Sequence, residues 1–272
     1  MSRISPLFFS CVVLCLLGTN AWADGVEHSA PTPCCETASF AGTYIGAALG
    51  YARHRVAVTN EDPTAPAFGQ TFKDNDSSVT FGGYVGYNFQ RCCSPFVFGI
   101  ETDFNYLDTS PTGLDIETGG TGLIETTTLE SNINWFGTLR GRAGFVIHDH
   151  LLLYATGGLA YASVDHTLND DCVGCGNIPF VANLGPFSQS NDKTKVGWTL
   201  GGGGELLHDS HWVLRAEALY IDLGSETHTY VFDPPGPAFG SSVAEWDDSF
   251  WVARLGVAYK FGGPDCCAAQ LK

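Results

Sequence analysis

The sequence predicts an all-β protein: an eight-stranded antiparallel up-and-down transmembrane β-barrel with four long extracellular loops and short periplasmic turns. Three observations predict it. Eight segments alternate in period two, each longer than the usual strand of about five or six residues and long enough to cross a bilayer at a tilt. Their connections alternate between tight and long, as in outer-membrane barrels. One face of each segment is apolar, while the other carries small residues with occasional large charges, which suits a narrow barrel interior.

The chain of 272 residues has 33 glycines, 12% aromatic and only 15% charged residues, unlike an ordinary soluble enzyme. Its formal net charge of -16 argues against nucleic acid as a partner, because phosphates need Lys and Arg.

The N-terminus reads as an export signal over 1–23. Arg3 supplies positive charge, "PLFFSCVVLCLLG" is a short apolar core, and Ala21-Trp22-Ala23 offers a cleavage site. A periplasmic N-terminal segment would follow over 24–41, the barrel over 42–261, and a periplasmic tail over 262–272.

The eight segments are 42–54, 78–90, 96–107, 133–147, 151–166, 194–208, 212–224 and 248–261. Tight connections follow the second, fourth and sixth, at "RCCSP", "HDH" and "DSH". Both termini therefore fall on the periplasmic side. In the fourth segment Trp135, Leu139, Ala143, Phe145 and Ile147 share the apolar face, opposite Phe136, Thr138, Arg140, Arg142 and Val146. The last splits Trp251, Leu255, Val257, Tyr259 and Phe261 from Val252, Arg254, Ala258 and Lys260. Aromatics near both ends of the apolar face match membrane-interface girdles.

Parity sends Glu101, Asp103, Arg140, Arg142, Glu205, Arg215, Glu217, Arg254 and Lys260 into the lumen. Isolated buried charges are very costly, whereas paired and multiply hydrogen-bonded ones are tolerable. The expectation is a salt-bridged interior, with Glu101 and Asp103 beside Arg140 and Arg142, which argues against a wide pore.

In order along the chain, "GTYIGAALGY", "FGGYVGYNFQ", "FVFGIETDFNY", "LRGRAGF", "LLYATGGLAYA", "VGWTLGGGGE", "LRAEALYIDLG" and "VARLGVAYKF" resemble successive strands of the porin-like outer-membrane β-barrel surface-antigen family, akin to the membrane domain of OmpA. The likeness spans about 41–261. It implies an eight-stranded barrel in the outer membrane of a Gram-negative bacterium, with surface-exposed and often antigenic loops. Envelope integrity, adhesion and weak pore activity are attributed to such proteins. The tail "GGPDCCAAQLK" departs from the pattern, since these chains usually end at the last strand's aromatic residue.

Eight cysteines outside the signal are disulfide candidates: Cys34, Cys35, Cys92, Cys93, Cys172, Cys175, Cys266 and Cys267. The three vicinal pairs would share the periplasmic rim in an oxidising compartment. Bonds within the chain, linkage to other envelope proteins, or a soft-metal site are the open readings. Cys92 and Cys93, farther round the rim than the two tails, are the best placed for linkage to a second protein. Cys172 and Cys175 most simply close a small extracellular disulfide.

No catalytic constellation, metal site or cofactor is expected. His148, His150, His208 and His211 bracket turns. His166 and His228 lie outward, where a lipid-A-modifying barrel enzyme would need them, but no Ser stands in recognisable relation to either. The run "GGGG" lacks the strand-to-helix context of a phosphate loop and reads as packing accommodation. The predicted outer segments are acidic and could hold divalent cations against lipopolysaccharide, or attract a basic partner. The expected function is a non-enzymatic, surface-exposed barrel supporting envelope integrity and surface interaction. A small-solute porin of low conductance is the alternative.

Overall fold

The computed structural model describes residues 39–61, 69–118, 124–147, 150–173, 187–208, 211–236 and 239–262. The export signal, most of the N-terminal segment and the C-terminal tail lie outside them, as do Cys34, Cys35, Cys175, Cys266 and Cys267.

The described residues form β1 (Gly42–Asn60), β2 (Thr71–Gln90), β3 (Phe96–Thr109), β4 (Thr112–Thr118), β5 (Ile124–Ile147), β6 (Leu151–Val173), β7 (Phe187–His208), β8 (Trp212–Gly236) and β9 (Phe239–Phe261). They hydrogen-bond in the order β3-β2-β1-β9-β8-β7-β6-β5, and pairing of β3 with β5 closes the ring. Closure leaves no unpaired edge, which a lipid environment demands. All pairings are antiparallel.

Nine strands make eight staves, because β4 continues β3. Thr109 pairs with Ile133 and Thr112 with Glu130, so both run along β5 in one direction. The break falls at Ser110 and Pro111. Proline has no amide to give to a ladder, and Pro111 instead accepts the Ser131 amide through its carbonyl at 3.2 Å.

The periplasmic ends of the strands fall where the alternation predicts them. Their outer ends run farther, so much of what reads as long loop is β-structure. β1 continues to Asn60, β6 to Val173 and β8 to Gly236. The physical reason is that lipid stops at the outer girdle. Beyond it the outward face turns polar, and the contrast that marks a membrane strand fades while the hydrogen-bonded ladder persists. A bulge between Asp222 and Ser225 marks this transition on β8. There Gly224 adopts φ 69°, a left-handed conformation that favours glycine.

The wall is apolar outside. Leu255 is 69% exposed and Val196 67%, values that make sense only against lipid. Tyr51, Trp198 and Trp251 stand at the outer end of this belt, and Trp212, Tyr259 and Phe261 at the periplasmic end. Trp251 to Phe261 matches the roughly 9–11 residues of a tilted membrane strand.

The interior is filled in layers. At the periplasmic end Phe40, Tyr44, Val97, Leu152 and Val213 form an apolar cluster. Phe40 is 1% exposed and is held in the mouth by its own backbone. Its amide donates to Gln90 Oε1 at 2.7 Å, and its carbonyl accepts from Asn88 Nδ2 at 3.1 Å. Farther out come a charged layer, a second apolar cluster around Leu107, Ile133, Phe136 and Phe250, and a histidine–aspartate layer. A third cluster of Val56, Val58, Leu129, Leu168 and Trp246 lies in the extension beyond the membrane.

Candidate functional site

The charged layer is built by five strands that each turn one or two charged residues inward. Glu101 and Asp103 come from β3, Arg140 and Arg142 from β5, Glu205 from β7, Arg215 and Glu217 from β8 and Arg254 from β9. All eight are at most 5% exposed. Arg140 is the hub. Its guanidinium reaches Glu101 at 2.5 Å, Asp103 at 2.9 Å and Glu217 at 3.0 Å. Arg254 lies 2.7 Å from Asp103 and 2.6 Å from Glu217, and donates to Asn105 Oδ1 at 3.1 Å.

Arg142 and Arg215 serve the periplasmic half of the layer. Arg142 lies 2.8 Å from Glu205 and 3.4 Å from Glu101; Arg215 lies 2.5 Å from Glu205 and 2.7 Å from Glu101. The Nη2 atoms of both are at ion-pair distance without hydrogen-bond alignment. Aromatic faces complete their shells, with Arg142 4.0 Å from the Tyr154 ring centroid and Arg215 4.1 Å from that of Tyr84. Tyr44 donates to Glu101 at 2.6 Å and Tyr154 to Glu217 at 2.8 Å.

Four carboxylates thus meet four guanidinium groups, and the layer is neutral. Two details differ from the sequence expectation. Asp103 sits opposite Thr138, not Arg142, in the β3–β5 register. Lys260, 6% exposed, turns to the periplasmic mouth and donates to the Ser39 carbonyl at 2.6 Å. Parity places a lysine inside; it cannot see the Ser39–Phe40 backbone seated in the mouth.

Glycines admit the aromatic rings. A Cβ on Gly86 would strike the Tyr44 hydroxyl end. One on Gly203, within the four-glycine run, would meet the Ala216 carbonyl and lie 2.8 Å from the Tyr154 hydroxyl. That run makes room for rings and close backbone, not for phosphate.

The second polar layer escaped sequence reasoning. Asp248, in the predicted acidic surface, is fully buried. Its Oδ1 lies 3.1 Å from His54 Nε2 and accepts the Ser131 hydroxyl at 2.8 Å; its Oδ2 lies 2.8 Å from His166 Nε2 and accepts Lys195 at 3.1 Å. A carboxylate is acceptor-only, so four donors saturate it. His166 Nδ1 meets His228 Nε2 at 3.2 Å, and His228 Nδ1 meets Asn191 Nδ2 at 3.0 Å. Thr109 Oγ1 lies 3.3 Å from His54 Nδ1. The Thr109–His54–Asp248 chain has the order of a nucleophile triad. However, it is at most 1% exposed and packs beneath Phe250, which leaves no approach for a substrate.

His228 sits well outside the lipid belt, opposite Ala244. Burial, with the neighbouring His166, holds its imidazole below the usual histidine range. The signal that could have found this layer is weak: His54, His166 and His228 all fall on the inward parity of extended strands.

Several other acids are engaged in structure. Asp76 accepts the Ser110 amide and Asp74 the Thr112 amide, pinning the strand break. Lys193 pairs with Glu226. His150, His208 and His211 lie at the periplasmic turns, and His211 stacks on Tyr259. Cys92 and Cys93 form the β2–β3 turn, Cys93 with φ 62°, and both are disulfide-bonded within this chain. Cys172 lies in the outer part of β6; its side chain is outside the described residues.

The comparisons with known proteins agree with this geometry. Residues 9–261 match the model of the outer membrane protein beta-barrel domain. The "31 kDa outer-membrane immunogenic protein" of Brucella melitensis is 34% identical over 266 residues, covering 92% of this chain and 97% of that protein. The "22 kDa outer membrane protein" of Rhizobium leguminosarum is 30% identical over 192 residues, covering 70% and 71%. Among solved structures, the outer membrane protein OprG from Pseudomonas aeruginosa shares the fold, with a TM-score of 0.53 at 15% identity over 84% of this chain and 99% of that one. The protein resides in a Gram-negative outer membrane and crosses it many times. The chain belongs to the outer-membrane protein β-barrel family.

Proposed function

We propose that the chain is a closed structural barrel that supports envelope integrity and meets its surroundings through its acidic outer extension. The observation that carries this reading is the filled lumen. Phe40 occupies the periplasmic mouth, eight charges neutralise one another across the middle, and two further apolar clusters close the outer half. The void between Phe40 and Arg215 is about 10 Å³, room for about one water. A low-conductance porin would need a continuous wet path, and the layered lumen weighs against one.

The same burial weighs against an enzyme, because the Thr109–His54–Asp248 chain faces no cleft. Surface interaction is supported by relatives named as immunogenic outer-membrane proteins.

A strain lacking the chain should become sensitive to detergents and bile salts, with small-solute uptake and the lipid A mass profile unchanged. Re-expression should restore the barrier. Slowed solute uptake without a barrier defect would favour the porin. A changed lipid A mass profile would favour the enzyme.

A further inference from the structure

The placement of cations is far less even than the placement of acids. Of the 13 Lys and Arg residues, Arg140, Arg142, Lys195, Arg215, Arg254 and Lys260 point inward. Lys193 is paired with Glu226, and Arg91 lies at the periplasmic turn. Three exposed cations remain on the outer wall among the described residues, Arg53, Arg55 and Lys73, and all stand on the β1–β2 hairpin.

Their height is fixed by register. Tyr51 belongs to the exposed outer girdle. Arg53, the next residue on the same face, lies between Ser77 on β2 and the girdle residue Trp251 on β9. Arg55 follows, between Asn75 and Ser249, and then Ala57, whose β2 partner is Lys73. Same-face residues are about 7 Å apart along a strand. The headgroup layer adds roughly 5–8 Å on each side of the hydrocarbon core. At a strand tilt of about 40°, Arg53 therefore stands roughly 5 Å beyond the girdle and inside that layer, while Arg55 and Lys73, roughly 11 and 16 Å beyond it, stand above, level with the outer part of a large phosphorylated headgroup.

The patch is also prepared. Both Nε and Nη2 of Arg53 donate to Asn75 Oδ1, at 3.1 and 2.7 Å, which holds the guanidinium against the wall and leaves its other donors outward. The acids on the same hairpin are turned away: Asp74 and Asp76 accept backbone amides at the strand break. Elsewhere around the wall just beyond the girdle, Asp108, Asp165, Asp192 and Asp222 carry negative charge. At the upper edge of the patch the exposed Asp247 on β9, which shares the rung of Ala57 and Lys73, offsets one charge, so the net attraction for an anion centres on Arg53 and Arg55. Guanidinium groups match phosphate oxygens through paired N–H donors, and clustered cations at a membrane surface bind anionic headgroups.

We propose that Arg53, Arg55 and Lys73 form a binding site for the phosphate groups of an outer-leaflet glycolipid of the lipopolysaccharide class. The site names one partner within the surface-interaction reading, yet it stands or falls separately from barrier function and conductance.

The test uses the full chain extracted from outer membranes in mild detergent, with bound lipid counted by native mass spectrometry. The wild type should retain phosphorylated glycolipid. The triple variant R53Q/R55Q/K73Q should retain roughly a hundredfold less, at about fivefold per surface cation. The charge-keeping variant R53K/R55K/K73R should keep most of it, and K193Q should match the wild type. Heat-modifiable gel migration verifies that each variant is folded, so the barrel reading stands whichever way the lipid result falls. Retention by the triple variant equal to the wild type would overturn the proposal. So would equal retention of a dephosphorylated glycolipid. Inorganic phosphate binding to lipid-free barrels as tightly as the glycolipid would identify a general anion site and overturn the lipid assignment.

Discussion

Arg140 sits between three carboxylates with its side chain wholly removed from solvent. Replacing it by alanine leaves Glu101, Asp103 and Glu217 with too few cations in a low-dielectric interior, so Arg140→Ala should cost about 3–5 kcal/mol. Urea unfolding in detergent micelles checks this, and a loss below about 1 kcal/mol would mean that water reaches the layer. At the outer end, His228 makes the extension sensitive to acid. Its folded-state affinity for a proton is lowered by burial and by His166, with Lys195 and Lys193 adding to the effect and Glu226 opposing it. Below the ordinary histidine pKa the unfolded chain therefore binds more protons, and folded-state stability falls as pH drops. Hydrogen exchange at β8 amides near His228 should quicken between about pH 7 and pH 5, and His228→Asn should flatten that dependence. Equal exchange at both pH values would contradict it. Residue parity could read which face Arg140 or Glu205 occupies, because the side-chain period of a strand is two. It could not read partners, since Arg140 meets Glu217 across the lumen, between strands that share no ladder. Nor could it find Asp248, whose neighbours on the surface side look like an ordinary acidic loop.

The elements show where the pattern was strong. The periplasmic ends of the strands at Gly42, Gln90, Phe96, Ile147, Leu151, His208, Trp212 and Phe261 were legible because tight turns and girdle aromatics coincide there. The outer ends were not, because water replaces lipid while pairing continues, and the third cluster that supports them draws only one or two residues from each of four strands. The Pro111 break likewise reads as the end of a strand, though β4 resumes the same stave. The neighbouring strands β1 and β2 place Tyr44 directly opposite Gly86, where a Cβ would strike the ring. Gly86→Ala should displace the Tyr44 ring and its bond to Glu101, costing about 1–3 kcal/mol. The same urea titration reads it, and an unchanged midpoint would show that the ring can move at no cost.

At the scale of the whole barrel, the described residues form a closed ring with an apolar exterior, a layered interior and a β-extension above the membrane. Ring closure predicts heat-modifiable migration: the unboiled protein should run as a compact species and shift on boiling. Arg140→Ala should lower the temperature of that shift, whereas R53Q/R55Q/K73Q, whose side chains lie outside the layers, should leave it within a few degrees. The central claim is that the lumen is a packed core and not a passage. Single-channel recording of the purified, folded chain in planar bilayers tests it most directly. The account predicts a silent membrane for the wild type at moderate voltage. Stable, ohmic conductance steps from the wild-type barrel would contradict it.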